Sequence, residues 1–131
     1  MFREPISNDP ANPLVSVFIY NYHGEHLECC FESIFSQKVL ENIEIILIDN
    51  ASTDGSWQTA LDYARRYQGI LTIKRNKRPS GLEDNLTHCW RMAKGKYYVT
   101  LINDDVFVAD YVKHCIQTME KDPFSSFEMV K

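Results

Sequence analysis

Ile43-Glu44-Ile45-Ile46-Leu47-Ile48-Asp49-Asn50-Ala51-Ser52-Thr53-Asp54-Gly55-Ser56 is the stretch that decides the fold. Its opening residues are apolar at every position but Glu44, as in a strand covered by helices on both faces. A carboxylate and an amide, Asp49 and Asn50, then end the run, and a carboxylate closing an apolar strand is costly to bury without a partner. Ser52, Thr53, Asp54 and Gly55 follow, and their oxygens suit the free N–H groups of a helix start. A helix through Trp57, Leu61 and Ala64 is therefore expected. Strand, polar turn and helix in this order are the ingredients of a βαβ unit.

The same alternation extends in both directions. Residues 14–20 form a second apolar run. Between the two runs, Leu27, Cys30, Phe31, Ile34 and Phe35 recur at helical spacing. Residues 70–74 and 97–102 read as shorter strands. Leu82, Leu86, Cys89, Trp90 and Ala93 mark a third helix, with Gly95 expected as its left-handed stop. Tyr111, Val112, Cys115, Ile116 and Met119 suggest a fourth, ended by Asp122-Pro123. The order β-α-β-α-β-α-β-α predicts an α/β fold of three layers, α/β/α, around a mostly parallel sheet. Pro5, Pro10 and Pro13 make residues 1–13 an N-terminal arm. Residues 14–121 form the domain and 122–131 its C-terminal tail.

With 131 residues, 44% hydrophobic and 24% charged, the composition is that of one ordinary globular domain. The net charge of −4 argues against nucleic acid as a partner, which calls for a basic face. No apolar run approaches the roughly 20 residues that cross a bilayer. The expected location is the cytoplasm or the cytoplasmic face of a membrane. Cys29, Cys30, Cys89 and Cys115 have no zinc spacing and read as buried thiols on helical faces. His23 and His26, three apart at the start of a helix, are not read as a metal site.

In an open α/β sheet ligands bind beyond the carboxyl ends of the strands. Here those ends carry Tyr20-Asn21-Tyr22, then Asp49-Asn50, then the basic run 74–78, then Asn103-Asp104-Asp105. Paired carboxylates repel unless a cation lies between them, and oxygen ligands favour magnesium or manganese. Asp104 and Asp105 are thus the candidate metal ligands. Neither a dinucleotide fingerprint nor a P-loop is present, so bound phosphates would be held by metal and side chains.

These residues resemble the start of a family 2 glycosyltransferase with the Rossmann-like GT-A fold, from about Leu14 to Tyr111. Val15 through Tyr22 is similar to that family's opening strand, Ile43 through Ser56 to its second strand and turn, and Ala93 through Asp105 to the stretch ending in its metal-binding acidic motif. The resemblance implies that Tyr20, Asn21, Tyr22, Asp49, Asn50, Asn85, Asn103 and Asp104 contact a nucleoside diphosphate sugar. It also implies that Asp104 or Asp105 binds magnesium or manganese on the diphosphate. Many members have proline where Tyr20 stands and a second aspartate where Asn50 stands. The acceptor, a glycan, lipid or protein, is not specified, and no catalytic base is assigned within the chain. The sequence reads as the donor-binding portion of a truncated domain, with an exposed sheet edge open to self-association. Two other functions compete: a receiver-like signalling domain, and a catalytically inactive donor-binding or interaction module.

Overall fold

The computed structural model describes residues 13–36, 43–102, 117–118 and 121. Among the described residues, four strands, β1 (Val15–Asn21), β2 (Ile43–Asp49), β3 (Leu71–Arg75) and β4 (Tyr97–Ile102), alternate with three helices, α1 (Leu27–Phe35), α2 (Ser56–Arg66) and α3 (Leu82–Met92). Every strand pairing is parallel and the order is β3-β2-β1-β4. The chain therefore builds outward from β1 through β2 to β3, then crosses back to lay β4 on the other side of β1. Such a reversal opens a crevice beyond the carboxyl ends of the strands it separates, here β1 and β4.

Successive strand residues face opposite sides of the sheet. Val15, Val17 and Ile19, Ile43, Ile45 and Leu47, and Tyr97, Val99 and Leu101 share one cluster with the buried faces of α1 and α2. Phe18, Ile46 and Ile48 pack on the other side with Cys89 and Ala93 of and beside α3. This is the expected three-layer α/β/α arrangement, and it explains why β1 and β2 read as near-continuous apolar runs. β3, bordered only by β2 among the described residues, exposes Thr72, Lys74 and Arg75. Charged side chains on such a strand discourage pairing with another sheet.

α1 and α2 are joined by an aromatic contact in which Phe31 stacks on Tyr63 at 4.5 Å between ring centroids. The Tyr63 hydroxyl donates to Glu32 Oε2 at 2.5 Å, and the Arg66 guanidinium lies 4.2 Å from the Tyr63 ring centroid. Burial, the bond to Glu32 and that carboxylate's charge together push the Tyr63 phenol up to about 12.

The amino ends of the strands are stitched by Glu44, a buried carboxylate whose Oε2 accepts from Ser16 Oγ and from the Lys94 N–H, both at 2.5 Å, and from the Gly95 N–H at 3.2 Å. Gly95 also donates to Ser16 Oγ at 2.9 Å. Gly95 is consequently not the left-handed cap expected from sequence. The cap of α3 is Ala93 in an extended conformation, and Gly95 has no positive φ. Glycine is required there because a Cβ would stand 2.6 Å from the Ser16 backbone nitrogen. Cys29 is likewise corrected: it is exposed, whereas Cys30 and Cys89 are buried. Burial lifts the Cys89 thiol to about 12 against the opposing charge of Lys74. Asn103, Asp104 and Asp105, the arm up to residue 12, the tail from 122 and most of the expected fourth helix, Cys115 included, lie outside the described residues.

Candidate functional site

Asn21 ends β1 and Asp49 ends β2, and the two are partners in the strand register. Both are fully buried. Asn21 Nδ2 donates to Asp49 Oδ1 at 2.7 Å and to Ser56 Oγ at 2.9 Å. Asp49 Oδ2 accepts the Ser52 N–H at 2.9 Å and lies 3.5 Å from Arg75 Nε, while Arg75 Nη2 donates to the Ser52 carbonyl at 2.6 Å. Two N–H donors and a guanidinium are the partners that make a buried carboxylate tolerable. The turn they hold is strained: Ala51 has φ 64°, a left-handed conformation that costs a non-glycine residue about 1–2 kcal/mol. Ser52 Oγ in turn accepts the N–H of His23, whose φ is 52°. Asn21 Oδ1 is the one buried side-chain polar atom without a hydrogen-bond partner among the described residues.

A second network starts at Asn50, which is also buried. Its Oδ1 accepts the Ser80 N–H at 2.9 Å and Asn76 Nδ2 at 3.0 Å. Its Nδ2 donates to the Ser80 carbonyl and to Tyr20 Oη, each at 3.0 Å. Both protons and both lone pairs of the amide are thereby used. Asn76 Nδ2 donates onward to Asn85 Oδ1 at 2.7 Å, and Asn85 Nδ2 donates to the Gly81 carbonyl at 2.8 Å. Three amides thus tie the loop between β3 and α3 to the carboxyl ends of β1 and β2.

Around these networks lie the accessible groups. Tyr22 is 42% exposed and stacks on the His23 ring at 4.1 Å. His23 Nε2 is 3.1 Å from Thr53 Oγ1. Asp54 accepts from Ser56 Oγ at 2.7 Å and from the Ser56 N–H at 3.0 Å, so it caps the start of α2 from just ahead of Gly55. Partial burial pushes the Asp54 carboxyl up, but the two bonds from Ser56, its own backbone N–H and the charge of His23 together leave it below its usual value. In the basic run, Lys74 reaches His88 at 3.4 Å and Arg75 belongs to the Asp49 turn, while Lys77 and Arg78 are exposed.

Tyr20, Asn21, Tyr22, Asp49, Asn50 and Asn85 are therefore brought to one edge of the sheet, in two tiers. Asn21, Asp49, Asn50 and Asn85 are buried and bonded within the protein, whereas Tyr20 is half-buried and Tyr22 exposed. No group of three or more His, Cys, Asp or Glu side chains among the described residues is placed to hold a metal ion. Asn76 and Ser80 were not legible as site residues, although Asn76 repeats the signal that singles out Asn21 and Asn50, an amide at a strand end. The charge of its neighbours hides it.

The model of glycosyl transferase family 2 matches residues 15–127. The chain belongs to that family. The Bacillus subtilis protein EpsE, assigned as a glycosyltransferase, is 35% identical over 112 residues, which are 85% of this chain and 40% of EpsE. A poly(ribitol-phosphate) beta-glucosyltransferase of Bacillus spizizenii is 30% identical over 93 residues, 70% of this chain and 15% of that enzyme. Among solved structures, the mannosyltransferase PcManGT of Pyrobaculum calidifontis, in complex with GDP-Man and Mn2+, superposes with a TM-score of 0.75 at 23% identity, over 88% of this chain and 35% of its own. S. aureus TarS 1-349 in complex with UDP-GlcNAc gives 0.74 at 19% identity, over 82% of this chain and 31% of that one. The fold of this glycosyltransferase-family chain is GT-A, and the chain spans at most 40% of the length of these relatives. A receiver domain is ruled out by topology as well, since its third strand would pair with β1, whereas here β3 pairs with β2.

Proposed function

We propose that the carboxyl edge of β1, β2 and β3 binds the nucleoside of a nucleoside diphosphate sugar, and that the chain serves the donor side of sugar transfer to an acceptor hydroxyl. The observation that carries this reading is the two-tier edge: exposed Tyr22, stacked on His23, and half-buried Tyr20, bonded to Asn50, share with the buried Asn21, Asp49, Asn50 and Asn85 the edge beside the point where the strand order reverses. Contact with the base and ribose falls to Tyr20, Tyr22 and the Ser80 loop. Asn21, Asp49, Asn50 and Asn85 hold those groups in place, which matters because misplacement of about 1 Å is costly in a site. Asp104 and Asp105, with Asn103 beside them, would hold magnesium or manganese, whose charge on the diphosphate would stabilise the departing group. The acceptor oxygen forms its bond to the sugar carbon as the bond to the diphosphate breaks, with the inversion that the family resemblance implies. Among the described residues no helix is long and apolar enough to cross a membrane, and the cytoplasm or the cytoplasmic face of a membrane remains the proposed location.

Titration calorimetry of the chain with UDP and with GDP tests this reading, in manganese, in magnesium and with a chelator. Binding that disappears with the chelator, and in a variant carrying both Asp104→Ala and Asp105→Ala, is the expected result. Equal affinity with and without metal would remove the metal assignment. Absence of binding to either nucleotide under all conditions would remove the donor site itself.

A further inference from the structure

The amides at this edge have no freedom to turn over, and that settles where each proton goes. Asn85 Nδ2 faces the Gly81 carbonyl, so Asn85 Oδ1 is the acceptor toward Asn76, and Asn76 must present Nδ2. Asn50 Oδ1 faces that Nδ2 and also the backbone N–H of Ser80, a group that can only donate. Asn50 therefore presents Nδ2 to Tyr20, at 3.0 Å. The Tyr20 oxygen receives a proton from Asn50, and among the described residues its own O–H has no acceptor. Tyr20 ends the β1 face that looks toward α3 and is the register partner of Ile102 in β4, so it stands beside the strand-order reversal.

We infer that Tyr20 is a specificity-determining residue whose hydroxyl donates to the exocyclic oxygen of a keto base, selecting uracil or guanine over cytosine or adenine. This rests on the nucleotide-binding reading above. Cytosine and adenine carry an amino group where uracil and guanine carry that oxygen, and an amino proton would oppose the phenol proton. The GDP-Man and UDP-GlcNAc bound in the two solved neighbours have in common a base with such an oxygen. A donor fixed by a chain of amides is also resistant to inversion, because reversing it would set like groups against one another at Asn50, Asn76 and Asn85 together. Phenylalanine at position 20 keeps the ring and removes the hydroxyl, both the proton donor and the acceptor of the Asn50 Nδ2 bond.

The test is calorimetry of the full chain in manganese with two matched pairs, UDP against CDP and GDP against ADP, for the parent and Tyr20→Phe. Within the pair that binds, the keto nucleotide should be the tighter ligand. Tyr20→Phe should weaken it about three- to tenfold, as for one neutral hydrogen bond, and leave the amino nucleotide unchanged. Equal loss for both members of the pair, or no loss for the keto member, overturns the assignment while leaving the nucleotide site standing. Failure of all four nucleotides to bind the parent brings down the donor-site reading and this one with it. Should Tyr20→Phe fail to fold by circular dichroism, the parent alone decides: 4-thio-UDP or 6-thio-GDP, whose sulfur is a poorer acceptor, must bind several-fold more weakly than its oxygen counterpart. Parity between the two overturns the assignment.

Discussion

Replacing Asp49 separates a residue that holds the site from one that touches ligand. In Asp49→Ala the Ser52 N–H loses its acceptor, Asn21 Nδ2 keeps only its serine partners, and Arg75 loses its carboxylate. A hydrogen bond to a charged group is worth about 1.5–3 kcal/mol, and two are lost. The ion pair adds about 0–1 kcal/mol, because Arg75 is 43% exposed and its charge is screened. A destabilisation of about 3–7 kcal/mol follows, equivalent to a fall in Tm on the order of 10–30 °C for a domain of this size. Asp49→Asn should lose nearly as much. Whichever way its amide turns, the NH2 group confronts either the Ser52 N–H or Asn21 Nδ2. Urea and thermal denaturation followed by tryptophan fluorescence measure both variants, with Trp57 as a local reporter because its ring centroid lies 5.6 Å from the Arg75 guanidinium carbon. An Asp49→Asn protein as stable as the parent but unable to bind nucleotide would refute this reasoning and make the carboxylate a ligand contact.

Gly95→Ala should destabilise by about 1–3 kcal/mol or prevent folding, since its Cβ would meet the Ser16 backbone nitrogen at 2.6 Å and disturb the bonds to Glu44; a Tm within 2 °C of the parent's, roughly, would show that the β1 end yields cheaply. Tyr63 sets a limit at alkaline pH. Its phenol is held up to about 12 in the folded chain against an ordinary 10.0, so the unfolded chain releases its proton first. The contribution of Tyr63 is intact below pH 10 and is lost as the pH rises through about 12. Stability measured from pH 9 to 12 should fall more steeply for the parent than for Tyr63→Phe.

Much of this was legible because the signals are local. β1 and β2 are enclosed on both faces, so their apolar runs had no other reading, and the stripe from Leu27 to Phe35 matches α1. Even the burial of Asp49 follows from parity, since it shares a sheet face with Ile43, Ile45 and Leu47. The rest depends on groups far apart in the chain. Nothing in Asn50 itself announces that Ser80, 30 residues on, will take both sides of its amide. Gly95 follows a helix and reads as a cap, but its real constraint is the backbone of Ser16. Cys29 sits beside Cys30 in sequence, yet a helix turns the first to solvent and the second to the core. The placement of β4 next to β1 is likewise invisible in either strand alone.

The Gly95 contact also has a history in time. Its bond to Ser16 spans 79 residues, and β4 pairs with β1, the earliest in the chain of the four described strands. At about 5–20 residues per second a ribosome needs roughly 4–16 seconds to travel that distance. Throughout that interval β1 can recruit β2 on one side while its other edge stays open, and the Glu44 carboxylate waits for the backbone donors of Lys94 and Gly95. Contacts of such long range also slow the search for the native state. A newborn chain is thus most vulnerable to aggregation before position 95 emerges, and substitutions that weaken the late stitch should lower its yield in the cell more than its activity once folded.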